Sequence, residues 1–296
     1  MVIQIRNLVK RYGDVVAVDH LSFEVGQGEI FGLMGPNGAG KTTTIRVIMD
    51  ILDPDAGSVK VLGQPPGQAK RQVGYLPEER GLYRNLKILD TLVYLAELKG
   101  VGRSAARERA TDLLERIQLA DWATRKVRDL SQGMQQRLQF AASLIHDPEV
   151  LFLDEPFQGL DPVNAERIKD LIADLHRDGK TIVLSTHQMN RVEALCNRIL
   201  LINRGRAVLY GELAEIKREY APHSVRVRAT TIPPDLPGVV QVEADDGAFN
   251  LALAEGAGPQ QVLRALLDRG VEIRAFEVAP VPLEDIFVAA VSGAEA

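Results

Sequence analysis

The sequence predicts an α/β domain with a largely parallel sheet, followed by a small α+β domain. Over the first 210 or so residues, short β-branched runs alternate with longer helical patterns, which is the order typical of α/β proteins. Further along, Val225–Arg228 and Val239–Val242 show the alternating pattern of half-buried strands. Acidic residues outnumber basic ones about two to one from Gly211 onward, whereas the rest of the chain is close to neutral. We therefore predict one domain over residues 1–212 and a second over 213–296.

Composition restricts the class of protein. The chain has 296 residues, of which 46% are hydrophobic, and this share is far too high for a disordered protein. Its net charge of −5 argues against a general nucleic-acid binder, which would carry a basic excess. The single cysteine, Cys196, excludes a disulfide framework. No apolar run approaches the ~18 residues of a membrane-spanning helix, so we expect an intracellular protein.

In the first domain, apolar runs of strand length are each followed by a turn or a helix. Glu29–Met34 is predicted as a buried strand that leads into a glycine-rich turn, and a helix follows from Thr42 to Met49. Leu86–Ile117 is mostly helical, with a break near residues 100–102. Two further continuous apolar runs suit parallel strands that are covered on both faces, namely Val150–Leu153 and Thr181–Leu184.

The second domain mixes strands and helices. After its alternating strands, the pattern predicts a helix at about Pro259–Arg269, a strand at Val271–Val278 and a terminal helix from Leu283. The proline-rich stretch Pro233–Pro237 is interpreted as an internal loop of this domain.

A phosphate-binding loop is predicted at Gly35–Thr42, which reads GPNGAGKT and matches G-x-x-x-x-G-K-[ST] in full. Glycines allow backbone N–H groups to curl around phosphate oxygens, and the following helix directs its positive end at the anion. Lys41 would reach the β- and γ-phosphates, and the Thr42 hydroxyl would coordinate Mg²⁺. The alternative, a glycine-rich turn with an unrelated lysine, fits poorly between a predicted strand and a predicted helix.

Two carboxylates follow the predicted strand Leu151–Leu153. Asp154 is placed to hold Mg²⁺ through water, and Glu155 to polarise an attacking water. Taken alone, these residues are interpreted more simply as a solvated acidic turn. The phosphate-binding loop elsewhere in the chain makes the catalytic interpretation the better one.

Two other segments are candidates for phosphate contacts. His187 follows another predicted strand, and the carboxyl ends of strands border the crevice where open α/β sheets bind ligands. There it could hydrogen-bond the γ-phosphate and the attacking water, although a lone histidine is usually structural. Ser131 precedes a helix predicted to run to about Ile145, so Ser131 and Gly133 either cap that helix or face a phosphate.

These motifs occur in one order along the chain: the glycine loop, Leu130–Gly133, Leu153–Pro156, Gly159–Pro162 and Ser185–His187. In order and spacing they resemble the nucleotide-binding subunit of an ABC transporter, over roughly residues 1 to 215. This resemblance implies a P-loop NTPase core with a helical subdomain at about residues 86–147. It also implies ATP and Mg²⁺ as cofactors, with ATP hydrolysis as the activity.

The resemblance further implies that two such domains pair head-to-tail, as a homodimer or with a related ATPase. Each ATP would then lie between one glycine loop and the partner's signature segment, our name for residues 131–133. The implied catalytic residues are Glu155, His187 and Lys41, and the implied metal-site residues are Thr42, Glu78 and Asp154. The implied ATP contacts are Tyr12, Gly35, Pro36, Asn37, Gly38, Ala39, Gly40, Lys41, Thr42, Thr43, Ser131, Gln132, Gly133 and Asp161. Tyr12 would stack on adenine, the alternative being a partly exposed tyrosine at a strand end.

Two positions depart from the commonest pattern of that family. Gln132 and Met134 replace a glycine and a glutamine of the usual Leu-Ser-Gly-Gly-Gln, although Ser131 and Gly133 remain. Glu78 stands where most members carry a glutamine that contacts Mg²⁺. A carboxylate can still accept hydrogen bonds from metal-bound water, but it adds negative charge there. The alternative for Glu78 is a surface acid in a charged loop.

One branch of the family is resembled more closely. Tyr75–Tyr83 and Pro282–Val288 look like the ATPases of sodium- or drug-exporting ABC-2-type transporters, which have a small C-terminal accessory domain. This second resemblance covers about residues 212 to 292. It implies export, and a groove near Tyr75–Tyr83 that receives a cytoplasmic helix of a separate permease.

The leading hypothesis is therefore an ATP hydrolase on the cytoplasmic face of the cell membrane that drives transport through another polypeptide. A soluble ABC ATPase acting on nucleic acid or the ribosome is the first alternative, but the expected zinc-binding cysteines, coiled coils and basic charge are missing. A non-enzymatic regulator is the second, and Glu155 and His187 argue against it. A P-loop kinase would not need the signature segment. The transported substrate is not readable from this sequence.

Overall fold

The structure is a computed structural model that describes residues 1–79, 81–220, 224–245, 247–254, 256–278 and 282–294. Contacts divide the chain into two units, Met1–Leu213 and Ala214–Ala296. Arg80, which belongs to the predicted permease-facing segment, lies outside the described residues. Within the described ranges, each helix is too short or too polar to cross a membrane.

The first unit contains nine strands and seven α-helices in its described part. The strands are β1 (Ile3–Tyr12), β2 (Val15–Val25), β3 (Ile30–Met34), β4 (Ala56–Val61), β5 (Val73–Leu76), β6 (Val150–Asp154), β7 (Thr181–Thr186), β8 (Arg198–Asn203) and β9 (Arg206–Glu212). The helices are α1 (Lys41–Ile48), α2 (Pro66–Ala69), α3 (Ile88–Leu98), α4 (Arg103–Arg116), α5 (Gln132–Leu144), α6 (Pro162–Arg177) and α7 (Met189–Leu195).

A six-stranded sheet in the order β5-β6-β7-β3-β8-β9 forms the centre of this unit. Its first five strands are parallel, and β9 pairs antiparallel with β8. Every residue of β3, β6 and β7 is buried, which explains why these strands are continuous apolar runs. The parallel sheet with its helices confirms the predicted α/β fold.

A separate three-stranded antiparallel sheet, in the order β2-β1-β4, was not predicted. One hydrophobic core joins this sheet, α1 and the central sheet. Phe23 of β2 stacks on Phe31 of β3 with ring centroids 5.5 Å apart. The glycine loop therefore connects two elements, β3 and α1, that belong to the same core.

Helices α3 and α4 account for the helical segment predicted at Leu86–Ile117, with the break between them at residues 99–102. Helix α5 is the helix predicted after Ser131. Helices α3 and α4 pack against each other, and their buried residues include Ala96, Ala106, Ala110 and Leu114. Helix α5 packs against β5. Two 3₁₀ turns, Ala120–Trp122 and Val127–Asp129, lead from α4 to α5. Helix α5 therefore reaches from this helical region to the edge of the central sheet.

The second unit is a four-stranded antiparallel sheet with helices, which confirms the predicted α+β class. Its strands are β10 (Ser224–Ala229), β11 (Val239–Asp245), β12 (Ala248–Leu253) and β13 (Ile273–Val278), in the order β11-β12-β10-β13. Its helices are α8 (Leu213–Glu219), which begins at the boundary, α9 (Pro259–Asp268) and α10 (Leu283–Ala294). Val225, Val227, Leu251, Val262 and Leu266 are fully buried in its core, so one face of the sheet is covered by α9.

Candidate nucleotide site

The candidate site lies at one edge of the central sheet, where parallel strands end side by side. The register pairs Met34 with Thr186, Asp154 with Ser185, and Leu76 with Leu153. The residues that follow these strand ends are therefore neighbours, although they are far apart in sequence. This edge is where open α/β sheets bind ligands.

A cavity of about 280 Å³ opens at this edge. It is lined by Ala17, Asn37, Gly38, Ala39, Gly40, Lys41, Thr42, Thr43, Glu78, Glu155, Gln158 and His187. The structure thus brings together the glycine loop, one acid after β5, one after β6 and the histidine after β7. Ala17 and Gln158 are the lining residues that the sequence motifs did not include.

The glycine loop adopts backbone conformations that other residues rarely reach. Gly38 and Gly40 have φ values of +79° and +108°. A Cβ atom on Gly40 would lie 2.4 Å from the carbonyl oxygen of Ala17, and one on Gly35 would lie 2.1 Å from that of Ile202. The loop therefore needs glycine at these positions for both conformation and space.

Lys41 is the first residue of α1 and is 6% exposed. Its Nζ donates hydrogen bonds to the carbonyl oxygens of Gly35 (2.7 Å) and Pro36 (3.1 Å), so the side chain folds back along the loop. Burial lowers the pKa of Lys41, and the nearby carboxylates oppose this shift, with Glu155 contributing most. The ammonium group is thus held at the loop among acidic groups.

Asp154 ends β6 and is fully buried. Within the described residues, neither of its carboxylate oxygens has a hydrogen-bond partner of normal geometry. Burial raises the pKa of Asp154, while the nearby hydroxyls of Ser185 and Thr42 lower it. A buried carboxylate without a partner is costly unless a cation or water completes it.

This arrangement fits a Mg²⁺ ion. The unpartnered oxygens of Asp154, the Thr42 hydroxyl and the Glu78 carboxylate are the hard oxygen ligands that Mg²⁺ prefers. The described part of the chain holds no cluster of three or more His, Cys, Asp or Glu suited to a metal. That result is compatible with a nucleotide-bound Mg²⁺, which takes only one or two protein carboxylates and completes its shell with phosphate and water.

Glu155 is held by the strand end beside it. The Thr186 hydroxyl donates to its Oε2 (3.0 Å), and the backbone N–H of His187 donates to its Oε1 (3.0 Å). The Nδ1 atom of His187 lies 2.8 Å from the same Oε1. Glu155 is 4% exposed and has a φ of +48°, a conformation that is unusual for a non-glycine residue. Its carboxylate is therefore fixed at the cavity wall.

The signature segment lies outside this cavity. Ser131 caps α5, and its Oγ accepts a hydrogen bond from the Met134 N–H (3.3 Å). A Cβ atom on Gly133 would lie 2.7 Å from Nδ2 of Asn164, so the start of α5 packs closely against the start of α6. Asp161 caps α6 and accepts from the Asn164 N–H (3.0 Å).

Three other residues predicted to contact ATP do not line the nucleotide cavity. Gln132 lines a different cavity, beside Gln135 and Gln139. Tyr12 ends β1, is 48% exposed and does not line the nucleotide cavity. Pro36 is exposed in the glycine loop, where its carbonyl accepts from Lys41.

Comparison with known families gives two matches. Residues 18–158 match the family described as ABC transporter. Residues 211–291 match the one described as the C-terminal domain of DrrA1-3-like ATP-binding proteins.

Similar proteins extend these matches along the chain. The uncharacterized ABC transporter ATP-binding protein YhaQ of Bacillus subtilis strain 168 is 39% identical, over 96% of each chain. The Nod factor export ATP-binding protein I of Cupriavidus metallidurans is 40% identical, over 73% of this chain and 72% of that one. A solved structure described as an ATP-binding subunit of an ABC transporter superposes with a TM-score of 0.69 at 28% identity, covering 74% of this chain and 93% of the other.

Proposed function

The chain belongs to the ABC transporter ATP-binding proteins, which bind ATP and hydrolyse it to power transport, and we propose that Glu155 carries the hydrolysis in this member. The observation that carries this proposal is the position of Glu155, which is buried at the wall of the glycine-loop cavity. Its carboxylate is fixed by the Thr186 hydroxyl, the His187 backbone N–H and the nearby His187 Nδ1. An oriented carboxylate there accepts the proton of the attacking water.

The glycine loop and Lys41 would hold the phosphates. Backbone N–H groups of the loop and the positive end of α1 attract the anion. Lys41 leaves its two carbonyl partners to reach the β- and γ-phosphates, and its charge offsets the charge that develops there. His187, whose Nδ1 lies against Glu155, orients the base and contacts the γ-phosphate.

Thr42, Asp154 and Glu78 would hold Mg²⁺, directly or through water. When bound, Mg²⁺ would supply positive charge that offsets the charge developing on the phosphates. The buried oxygens of Asp154, which have no hydrogen-bond partner of normal geometry among the described residues, support this assignment. Glu78 contributes a second carboxylate from the loop that follows β5.

Two copies would pair head-to-tail, or one copy with a related ATPase. Ser131 and Gln132 are exposed at the N-terminus of the 13-residue helix α5, outside the cavity of their own chain. The positive end of this helix, with the Ser131 hydroxyl, is suited to the γ-phosphate bound by the other chain. In this arrangement Asp161 lies at the dimer interface, and Tyr12 stacks on adenine.

The transport path would belong to a separate permease, with this chain at the cytoplasmic face of the membrane. Tyr83 and Tyr94 are exposed and contact each other edge to face, with ring centroids 5.8 Å apart. Beside Tyr94 lies a cavity of about 290 Å³ that Leu86 and Val93 also line, which suits a short permease helix. Export is proposed from the relative named for Nod factor export.

Replacing Glu155 with glutamine tests this function. Glu155→Gln keeps the shape and the neighbours but removes the base, so ATP hydrolysis should fall by about 10²–10⁴-fold. Because bound ATP then persists, the protein should accumulate as a dimer with ATP and Mg²⁺. Phosphate release and size-exclusion chromatography with light scattering measure the two effects.

A matched control is Glu149→Gln, the same change at an exposed residue just before the other end of β6. This variant should hydrolyse ATP at the parent rate and show no additional dimer. The proposal is wrong if Glu155→Gln hydrolyses ATP as fast as the parent and stays monomeric.

A further inference from the structure

Two buried glutamines on α5 hold the loops that carry the acids of the site. Gln136 and Gln139 are 4% and 5% exposed and lie three residues apart, on one face of the helix. The Nε2 atom of Gln136 donates to the Pro156 carbonyl (3.2 Å), next to Glu155. Gln139 donates to the carbonyls of Pro77 (3.2 Å) and Glu79 (2.9 Å), which flank Glu78.

Packing alone does not account for a glutamine at position 139. The neighbouring core positions of α5, Leu138 and Phe140, are apolar and fully buried. An amide taken out of water costs free energy unless it is hydrogen-bonded, and within the described residues the Oε1 atom of Gln139 has no partner. An apolar side chain of similar length would fill the space without that cost. What the glutamine adds is the pair of hydrogen bonds to the loop beyond β5.

We propose that Gln139 is a positioning residue for Glu78. Its amide holds the carbonyl on each side of Glu78 and thereby keeps this exposed side chain at the wall of the nucleotide cavity. Because Gln139 lies on α5, the helix that Ser131 caps, this helix connects the signature segment with the loop that carries Glu78. The inference rests on the proposed role of Glu78 toward Mg²⁺.

The test measures how strongly Mg²⁺ tightens nucleotide binding, independently of turnover. In the Glu155→Gln background, the affinity for a fluorescent ATP analogue is measured with Mg²⁺ and with EDTA, and the ratio of the two affinities is compared between variants. Gln139→Met, which keeps length but removes the donor, should lower this ratio about tenfold, the loss typical for a residue that orients a metal ligand. The affinity in EDTA should not change.

Gln135→Met is the matched control. Gln135 lies on the same helix and lines the same cavity as Gln139. It also donates to a backbone carbonyl, but to that of Leu130 (2.9 Å) instead of one beside Glu78. The ratio of the affinities with Mg²⁺ and with EDTA should be the same in Gln135→Met as in the parent. Thermal unfolding verifies that each variant folds, and Gln139→Glu, which has no amide donor, replaces Gln139→Met if the latter is unfolded.

A double variant separates positioning from a general structural effect. Glu78→Ala should lower the ratio, and adding Gln139→Met to it should change nothing more, because Gln139 acts through Glu78. A parent-like ratio in Gln139→Met, or an equal further loss in the Glu78→Ala background, overturns the inference alone. A parent-like ratio in Glu78→Ala overturns both the inference and the proposed metal role of Glu78.

Discussion

Within the glycine loop, Gly38 and Gly40 both have a positive φ but differ in the space around them. A Cβ atom on Gly40 would lie 2.4 Å from the Ala17 carbonyl oxygen, whereas one on Gly38 would meet nothing within 4 Å. Gly38→Ala should therefore lower the free energy of unfolding only by the cost of a left-handed alanine, about 1–2 kcal/mol. Gly40→Ala should lower it by more, because the backbone must also move.

Urea denaturation without nucleotide measures both values on the full chain. Each variant serves as the control of the other, since both place alanine at a positive φ. Equal losses in the two variants would contradict the argument from space.

For single residues, the sequence predicts a chemical role more readily than it predicts which residues are in contact. Roles in the site were predicted for the glycine loop, Asp154, Glu155 and His187 because the order of their motifs is so specific. That Thr186 and the His187 backbone fix Glu155 could not be predicted, because these bonds join residues about 30 positions apart through a sheet register. Gln139 was missed for the same reason: its partners lie about 60 residues away.

Where the segment after α5 meets β5, a half-buried histidine makes stability depend on pH. The Nε2 atom of His146 lies 3.0 Å from the Val73 carbonyl oxygen. Burial lowers the pKa of His146 to about 4, and the charge of Lys99 acts in the same direction. The folded chain keeps this ring neutral at a pH where the unfolded chain, with an ordinary value of 6.5, already binds a proton.

Stability should therefore fall as pH decreases from about 6.5 to 4, and this contribution should be constant outside that window. The full shift corresponds to ~3 kcal/mol, and solvent screening of a partly exposed ring reduces this to about 1–2 kcal/mol. His146→Gln keeps a donor for Val73 but does not titrate, so its free energy of unfolding should decline less steeply over this window. Chemical denaturation at several pH values measures the slopes, and identical slopes would refute this role of His146.

Among whole elements, continuous apolar strands were the easiest to predict and the antiparallel sheet β2-β1-β4 the hardest. Strands β3, β6 and β7 are buried on both faces, so their composition identifies them. Strands β1 and β2 mix exposed charged residues with buried apolar ones, and register shifts interrupt their pairing, which weakens the alternating pattern. Within β2, the alternation of buried and more exposed residues from Leu21 to Val25 is nevertheless the pattern of a half-buried strand.

Across the whole molecule, the nucleotide cavity and the acidic C-terminal unit are separate in sequence. Every residue that lines the cavity lies between Ala17 and His187, and the core beneath it uses residues from Val2 to Ile202. A chain ending at Leu213 should therefore fold and bind ATP with an affinity within about threefold of the full chain, well under the tenfold that 1.4 kcal/mol represents. Equilibrium binding of a fluorescent ATP analogue compares the two chains.

Comparing the same shortened chain with the full chain tests whether the second unit contributes to dimerisation. In the Glu155→Gln background, the dimer formed with ATP and Mg²⁺ is compared between residues 1–213 and the full chain. If the second unit stabilises the dimer, the shortened chain should need a higher protein concentration to dimerise, while its affinity for ATP stays the same. A folded 1–213 chain that no longer binds ATP would contradict the assignment of the nucleotide site to the first unit alone.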